Sequence, residues 1–303
     1  MRGNFDVAAH YGALYLKAVP ESYEGWFNQG VALQKTGMVQ ESAAAYQRAL
    51  KIRPDGREAL VNLAGILYEN EELPRARQGY ERVLQLDPDH PGTLWNLGLL
   101  YQKLGEKDQA ETCYAKLAKI KPGREDVWQR LGYLRLERGD NAGAIEALEK
   151  IANKPRSRMD AQANLAVAYW RSGQSASAKR LIQRALKDKP NTPEFLRVLA
   201  VLAVEEGDLE EAAKLESMLS QSGERIPELS YNVGVLLQTA NRQDAAAQAF
   251  ERANAAKPGF GEALLNLGHA LRALGQEEKA KECWREAVGL MPELAGSYFA
   301  ERN

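Results

Sequence analysis

Cysteine and histidine are scarce in this chain. Two cysteines, Cys113 and Cys283, and three histidines, His10, His90 and His269, are spread over 303 residues. No CxxC, HExxH or Cys/His cluster gathers them, so neither a disulfide framework nor a metal site is expected, and no cofactor is implied. An excess of one charge is also missing: Lys and Arg total 40 against 41 Asp and Glu, which leaves no basic footprint for nucleic acid. No run approaches the ~18 apolar residues of a membrane span. The opening MRGNFDVAAHYGALYLKAVP mixes charge, Gly and His into its apolar residues, unlike a signal peptide. GxSxG, Walker A and GxGxxG motifs are absent. The paired acids Glu71-Glu72, Glu205-Glu206 and Glu210-Glu211 fall at turns and helix starts, where solubility and helix electrostatics account for them. The expectation is a cytoplasmic, non-catalytic protein that neither binds nucleic acid nor enters a membrane.

What is present is a period. Prolines stand at Pro20, Pro54, Pro88, Pro122, Pro190, Pro258 and Pro292, each interval being 34 residues or a multiple of it. Small residues repeat at the same spacing through Gly30, Ala64, Gly98, Gly132, Ala166, Ala200, Gly234 and Gly268, and again through Ser42, Ala76, Ala110, Ala144, Ala178, Ala212, Ala246 and Ala280. Three coincident ladders without an insertion or deletion mark a repeat protein.

Within one repeat, apolar residues recur at helical spacing (Leu94, Leu97, Leu100, Tyr101, Leu104), break at Gly105, and resume (Ala110, Tyr114, Leu117, Ile120) before Pro122. That predicts two amphipathic helices joined by a tight turn. Gly98 lets them approach and Tyr114 fills the space beside it. Glycine recurs mid-repeat at Gly37, Gly105, Gly139, Gly173, Gly207 and Gly275, where a helix C-terminus favours positive φ. Proline closes the second helix. Cys113 and Cys283 fall one residue before the large apolar place, as packing residues.

These residues resemble the tetratricopeptide repeat, whose pattern W-x2-L-G-x2-Y, A-x3-F, P is matched by Leu94, Leu97, Gly98, Tyr101, Ala110, Tyr114 and Pro122. Leu264, Leu267, Gly268, Leu271, Ala280, Trp284 and Pro292 match it again. The resemblance implies an all-α, right-handed α-solenoid and a protein-interaction scaffold. Eight repeats start at residues 23, 57, 91, 125, 159, 193, 227 and 261 and occupy 23–294. Residues 1–22 read as the second half of a further repeat, and 295–303 as the start of another first helix. Neither end carries an obvious polar cap. Two explanations stay open: the array continues in a longer protein, or the bare ends, Tyr298 and Phe299 among them, stack or self-associate.

Two repeats depart from the pattern. The fourth has its proline one place early, at Pro155, followed by a basic link. The sixth has Glu216 where a large apolar residue is expected, and Ser220-Gln221-Ser222-Gly223 is expected to cut its second helix short. That repeat is expected to be the loosest joint, by ordinary drift or as a hinge.

The resemblance implies that the first helices line a concave face, with places 2, 5, 6, 9 and 12 of each repeat pointing into it. Place 6 reads Asn28, Asn62, Asn96, Arg130, Asn164, Val198, Asn232 and Asn266. An asparagine amide offers one acceptor and two donors and can pair with both the C=O and the N–H of an extended peptide. The row is similar to the asparagine ladder of the O-linked N-acetylglucosamine transferase superhelix. Packing and solubility could account for any one of these residues. Phe27, Tyr68, Trp95, Tyr133 and Tyr231, from places 5, 9 and 12, would supply side-chain pockets for partly apolar segments of partner proteins. Place 2 is mostly acidic, including Glu24, Glu58 and Asp126, and place 5 has no Lys, which disfavours a carboxylate-gripping clamp and suits a basic residue in the bound segment. Two other roles stay open: the substrate-recruiting part of a longer enzyme, and a structural or oligomerisation spacer.

Overall fold

A computed structural model describes residues 2–152 and 159–292. The expected helix start at 295–303, with Tyr298 and Phe299, and the basic link at 154–158 lie outside them. The described residues form seventeen α-helices and no strand. They fall into two compact bodies, Met1–Ile151 and Ala152–Asn303.

In the N-terminal body, α1 (Arg2–Ala18) precedes the pairs α2 (Tyr23–Thr36) with α3 (Val39–Ile52), α4 (Arg57–Glu69) with α5 (Leu73–Leu86), α6 (Pro91–Lys103) with α7 (Lys107–Ile120), and α8 (Glu125–Glu137) with α9 (Asn141–Ala152). The C-terminal body holds α10 (Met159–Arg171) with α11 (Ser175–Asp188), α12 (Pro193–Glu205) with α13 (Leu209–Gln221), α14 (Pro227–Thr239) with α15 (Gln243–Ala256), and α16 (Gly261–Ala273) with α17 (Glu277–Leu290). Within each body, second helices pack on the next first helix, as α3 does on α4 and α15 on α16. Successive first helices also touch, α4 with α6 in one body and α10, α12, α14 and α16 in turn in the other. Each body is therefore a stack of helical hairpins, an all-α solenoid.

The turn chemistry follows the glycine ladder. Gly37 has φ 89°, its N–H bonds to Gln34 O, and Met38 N–H reaches back to Leu33 O, a closed helix C-terminus. Two repeats form the same turn without glycine, with Glu71 at φ 62° and Asn241 at φ 59°. The small-residue ladder has the expected steric cause. A Cβ on Gly98 would lie 2.7 Å from the Tyr114 ring, and one on Gly268 2.2 Å from Trp284. The large residues that fill these gaps, among them Tyr46, Tyr80, Tyr114 and Phe250, are almost wholly buried. Fully burying a large apolar side chain contributes ~1.5–3 kcal/mol, so this alternation of small and large residues carries much of each hairpin's stability.

Repeat six has its second helix cut short, though only slightly. α13 runs through Ser220 to Gln221, one residue short of most second helices, and turns at Gly223 with φ 88°.

Candidate peptide-binding face

Place 6 is on the first helix of every repeat, so the asparagines stand on first helices throughout. Asn28 is exposed on α2, while Asn62 on α4 and Asn96 on α6 are half-buried. Burial of the latter two has a specific cause. Asn62 Nδ2 donates to Tyr46 Oη at 3.1 Å, and Tyr46 Oη donates onward to Gln34 Oε1 at 3.1 Å. Asn96 stands in the same relation to Tyr80, where its amide acts to lower the phenol's pKa. The Tyr46 phenol is thus capped by the asparagine of the next repeat. At the following joint Arg130 replaces asparagine: Arg130 Nη1 and Tyr114 Oη both donate to Gln102 Oε1, at 3.0 and 2.8 Å. Burial is the main reason that Tyr80 is pushed up to about 12. These phenols stay neutral donors and acceptors at physiological pH.

One tyrosine bond does not exhaust an asparagine amide. A second N–H and the carbonyl oxygen remain on Asn62 and Asn96, enough for one peptide group.

In the C-terminal body the row divides differently. Asn164 and Asn266 are half-buried and Asn232 is exposed. Asn266 Nδ2 donates to Tyr231 Oη at 3.2 Å and to Glu262 O at 3.1 Å. Val198 interrupts the row and is buried.

The candidate anchors are part of the packing. Phe27 lies 6.2 Å from Tyr23 and 5.9 Å from Tyr46, centroid to centroid. Trp95 sits 5.6 Å from Tyr114, with the Arg124 guanidinium 4.3 Å and the Arg130 guanidinium 5.2 Å from its ring. Tyr68 carries Lys103 Nζ at 5.1 Å, and Tyr231 packs on Phe250 and Phe260. Tyr133 is 45% exposed and donates to Glu137 Oε1 at 2.9 Å, the most open aromatic of the set. Trp170 donates its Nε1 proton to Glu205 Oε2 at 2.6 Å.

The acidic places are partly neutralised. Glu24 pairs with Arg53 at 2.7 Å, and its own backbone N–H together with that guanidinium holds its carboxyl below the ordinary range. Arg124 does the same for Asp126, at 2.7 Å. Glu58 is exposed. The spacing of place 2 shows these carboxylates but not Arg53 and Arg124, which lie between helices and meet two of them.

Cys113 is buried and its thiol is pushed up to about 11 by burial, so it stays protonated and unreactive. Among the described residues no cluster of three or more His, Cys, Asp or Glu could hold a metal, and no helix is long and apolar enough to cross a membrane.

Sequence reasoning also missed a polar joint. Glu216 is only 4% exposed, and it accepts from Ser230 Oγ at 2.7 Å and from Arg252 Nε and Nη2, both at 2.9 Å. The carboxylate expected to weaken repeat six is tied to both helices of repeat seven.

Comparison with known proteins follows the same lines. Tetratricopeptide repeat profiles match residues 2–57, 27–91, 75–131, 135–202 and 261–294. Curated protein sequences give no match. Among solved structures, a tetratricopeptide repeat protein from Parabacteroides merdae ATCC 43184 is similar at 18% identity and a TM-score of 0.53, over 88% of this chain and 98% of that one. MamA AMB-1 is similar at 21% identity and a TM-score of 0.50, over 59% of this chain and 98% of its own. At such identities the likeness is one of fold. The matched profiles extend over most of the sequence, and the chain belongs to the tetratricopeptide repeat family.

Proposed function

We propose that the first-helix faces bind extended, partly apolar segments of partner proteins, as a non-catalytic interaction scaffold. One observation carries the reading. Asn28, Asn62 and Asn96 occupy one place on three successive first helices, with half-buried Phe27 and Trp95 beside them. Packed helices lie ~8–10 Å apart and an extended chain advances ~3.3 Å per residue. Each repeat then spans roughly three ligand residues, and the three asparagines roughly seven to nine.

Magnitudes limit what the amides do alone. A net hydrogen bond contributes ~0.5–1.5 kcal/mol, whereas association costs about 4–15 kcal/mol in lost freedom. Side-chain contacts must supply most of the affinity, and Phe27, Trp95 and Tyr133 are the aromatic surface for it. Exposed Glu58 favours a Lys or Arg in the segment, more than Glu24, whose charge Arg53 already meets.

The test is a selection of random displayed peptides on the whole chain, followed by binding of the enriched peptides to the Asn28→Ala and Tyr133→Ala variants. Both residues are exposed, so folding is retained. Weaker binding in both supports the reading. Unchanged binding in both places the site elsewhere on the molecule.

A further inference from the structure

We infer that the C-terminal body carries a second docking site, apart from the asparagine row, for a segment of a partner protein with an aliphatic residue next to an acidic one. A cavity of about 250 Å³ opens where the ends of α13 and α15 meet the start of α14. Sites that enclose a small molecule run ~300–1,000 Å³, so this one has room for a side chain and its neighbour rather than a free metabolite. It lies where repeat six departs from the array in two ways. Glu216 replaces the bulky residue that fills this place in neighbouring repeats, and α13 stops early, leaving the link through Arg225 and Ile226 beside the gap.

The walls are of two kinds. Leu219 and Leu229 are buried, with half-buried Ile226 and Ala256 beside them, giving an aliphatic surface. Polar groups gather around the Glu216–Arg252 pair. A carboxylate taken out of water costs several kcal/mol, and this one is compensated by a bidentate guanidinium and a buried hydroxyl. The pairing fixes the Arg252 side chain against the cavity wall. A guanidinium has five N–H groups and Glu216 engages two of them, which leaves donors for a further acceptor. Glu224, also at the cavity, is paired with Arg197 at 3.2 Å. Exposed Arg225 completes the lining. The lining holds two arginines and two glutamates, but Glu216 is met by Arg252 and Glu224 by Arg197 from outside the lining, so Arg225 carries the charge left over at the cavity. A guanidinium at the mouth and aliphatic side chains beneath it complement a carboxylate-bearing residue beside a Leu, Ile or Val.

The probes are acetyl-leucyl-glutamate amide, its glutamine analogue and its lysine analogue, titrated at millimolar concentration into the whole chain. The reporters are the methyl resonances of Leu219, Ile226 and Leu229. The inference expects saturable shifts with the glutamate probe and about tenfold weaker binding of the glutamine analogue, the scale of one charged hydrogen bond. The response should be lost in Arg225→Glu, which removes the surplus charge, and in Ala255→Trp, which plugs the mouth from an exposed position. It should persist in Asn28→Ala, which separates it from the first-helix reading. No saturable shift, equal binding of the glutamine or lysine probe, or a response that survives Ala255→Trp would each overturn it.

Discussion

Asn62 on α4 donates to the hydroxyl of Tyr46 on α3, so a residue of the proposed peptide-binding row also closes the joint between two repeats. Under the proposed function stability and recognition would share these amides, and the two roles separate experimentally. Replacing Asn62 and Asn96 together by Ala removes the cap of Tyr46 and the amide that faces Tyr80. The loss should be about 1–3 kcal/mol, one net hydrogen bond each, read as a lower urea midpoint at unchanged m-value. Asn28→Ala and Asn232→Ala, at exposed places, should leave the midpoint where it is.

Glu71 occupies the left-handed turn position that glycine holds in most repeats, with φ 62°. An L-residue with a Cβ is strained there by roughly 1–2 kcal/mol, and its exposed ion pair with Lys103 is worth about 0–1 kcal/mol. Glu71→Gly should therefore stabilise the chain by about 0.5–1 kcal/mol in chemical denaturation. A destabilised variant would mean that the turn is held by more than backbone geometry.

Glu216→Ala should cost about 2–3 kcal/mol, below the full value for breaking a buried pair because the Arg252 side chain is 40% exposed and relaxes into water. Combining Glu216→Leu with Ser230→Ala removes the buried polar partners together and should fall within about 1 kcal/mol of the parent. Equilibrium unfolding monitored by circular dichroism separates the two cases.

Alkaline pH should weaken the fold in a defined window. Burial raises the Cys113 thiol from an ordinary 9.0 to about 11, and it is the largest cause that lifts Tyr80 and Tyr101 from 10.0 to about 12. The stability these groups confer is complete below pH 9.0, where native and unfolded chains hold the same protons. Above it the unfolded chain releases protons that the native chain keeps, and the contribution is lost as pH climbs toward about 11 and 12. The urea midpoint should decline over that range, and in Cys113→Ala the decline should begin later, with the phenols. An unchanged onset in that variant would contradict the assignment.

The hairpins were legible because each ladder reports one steric requirement. Gly98 must be small because Tyr114 lies against it, and Gly105 must tolerate positive φ, so spacing alone places both helices and their turn. The proposed binding face was legible only as a row of positions. What each amide touches depends on a residue of the preceding repeat, and that residue changes: Tyr46 and Tyr80 face asparagines, while Tyr114 shares Gln102 with Arg130. Glu216 was visible as an exception, but its partner was not. Arg252 stands 36 residues away, at a place where Arg48, Arg82 and Arg184 also stand, so nothing in the spacing singled it out.

The central claim is that the asparagines hold the backbone of an extended segment, and N-methylation of the bound peptide tests it most directly. Each N-methyl group deletes one backbone donor and leaves the side chains unchanged. In a peptide enriched by the whole chain, methylation at the amide facing Asn28 should weaken binding by about 1 kcal/mol, and the penalty should vanish in Asn28→Ala, a coupling that a double-mutant cycle isolates. A penalty of the same size in parent and variant, at every amide of the peptide, would show that the asparagines do not touch the backbone and would contradict the account.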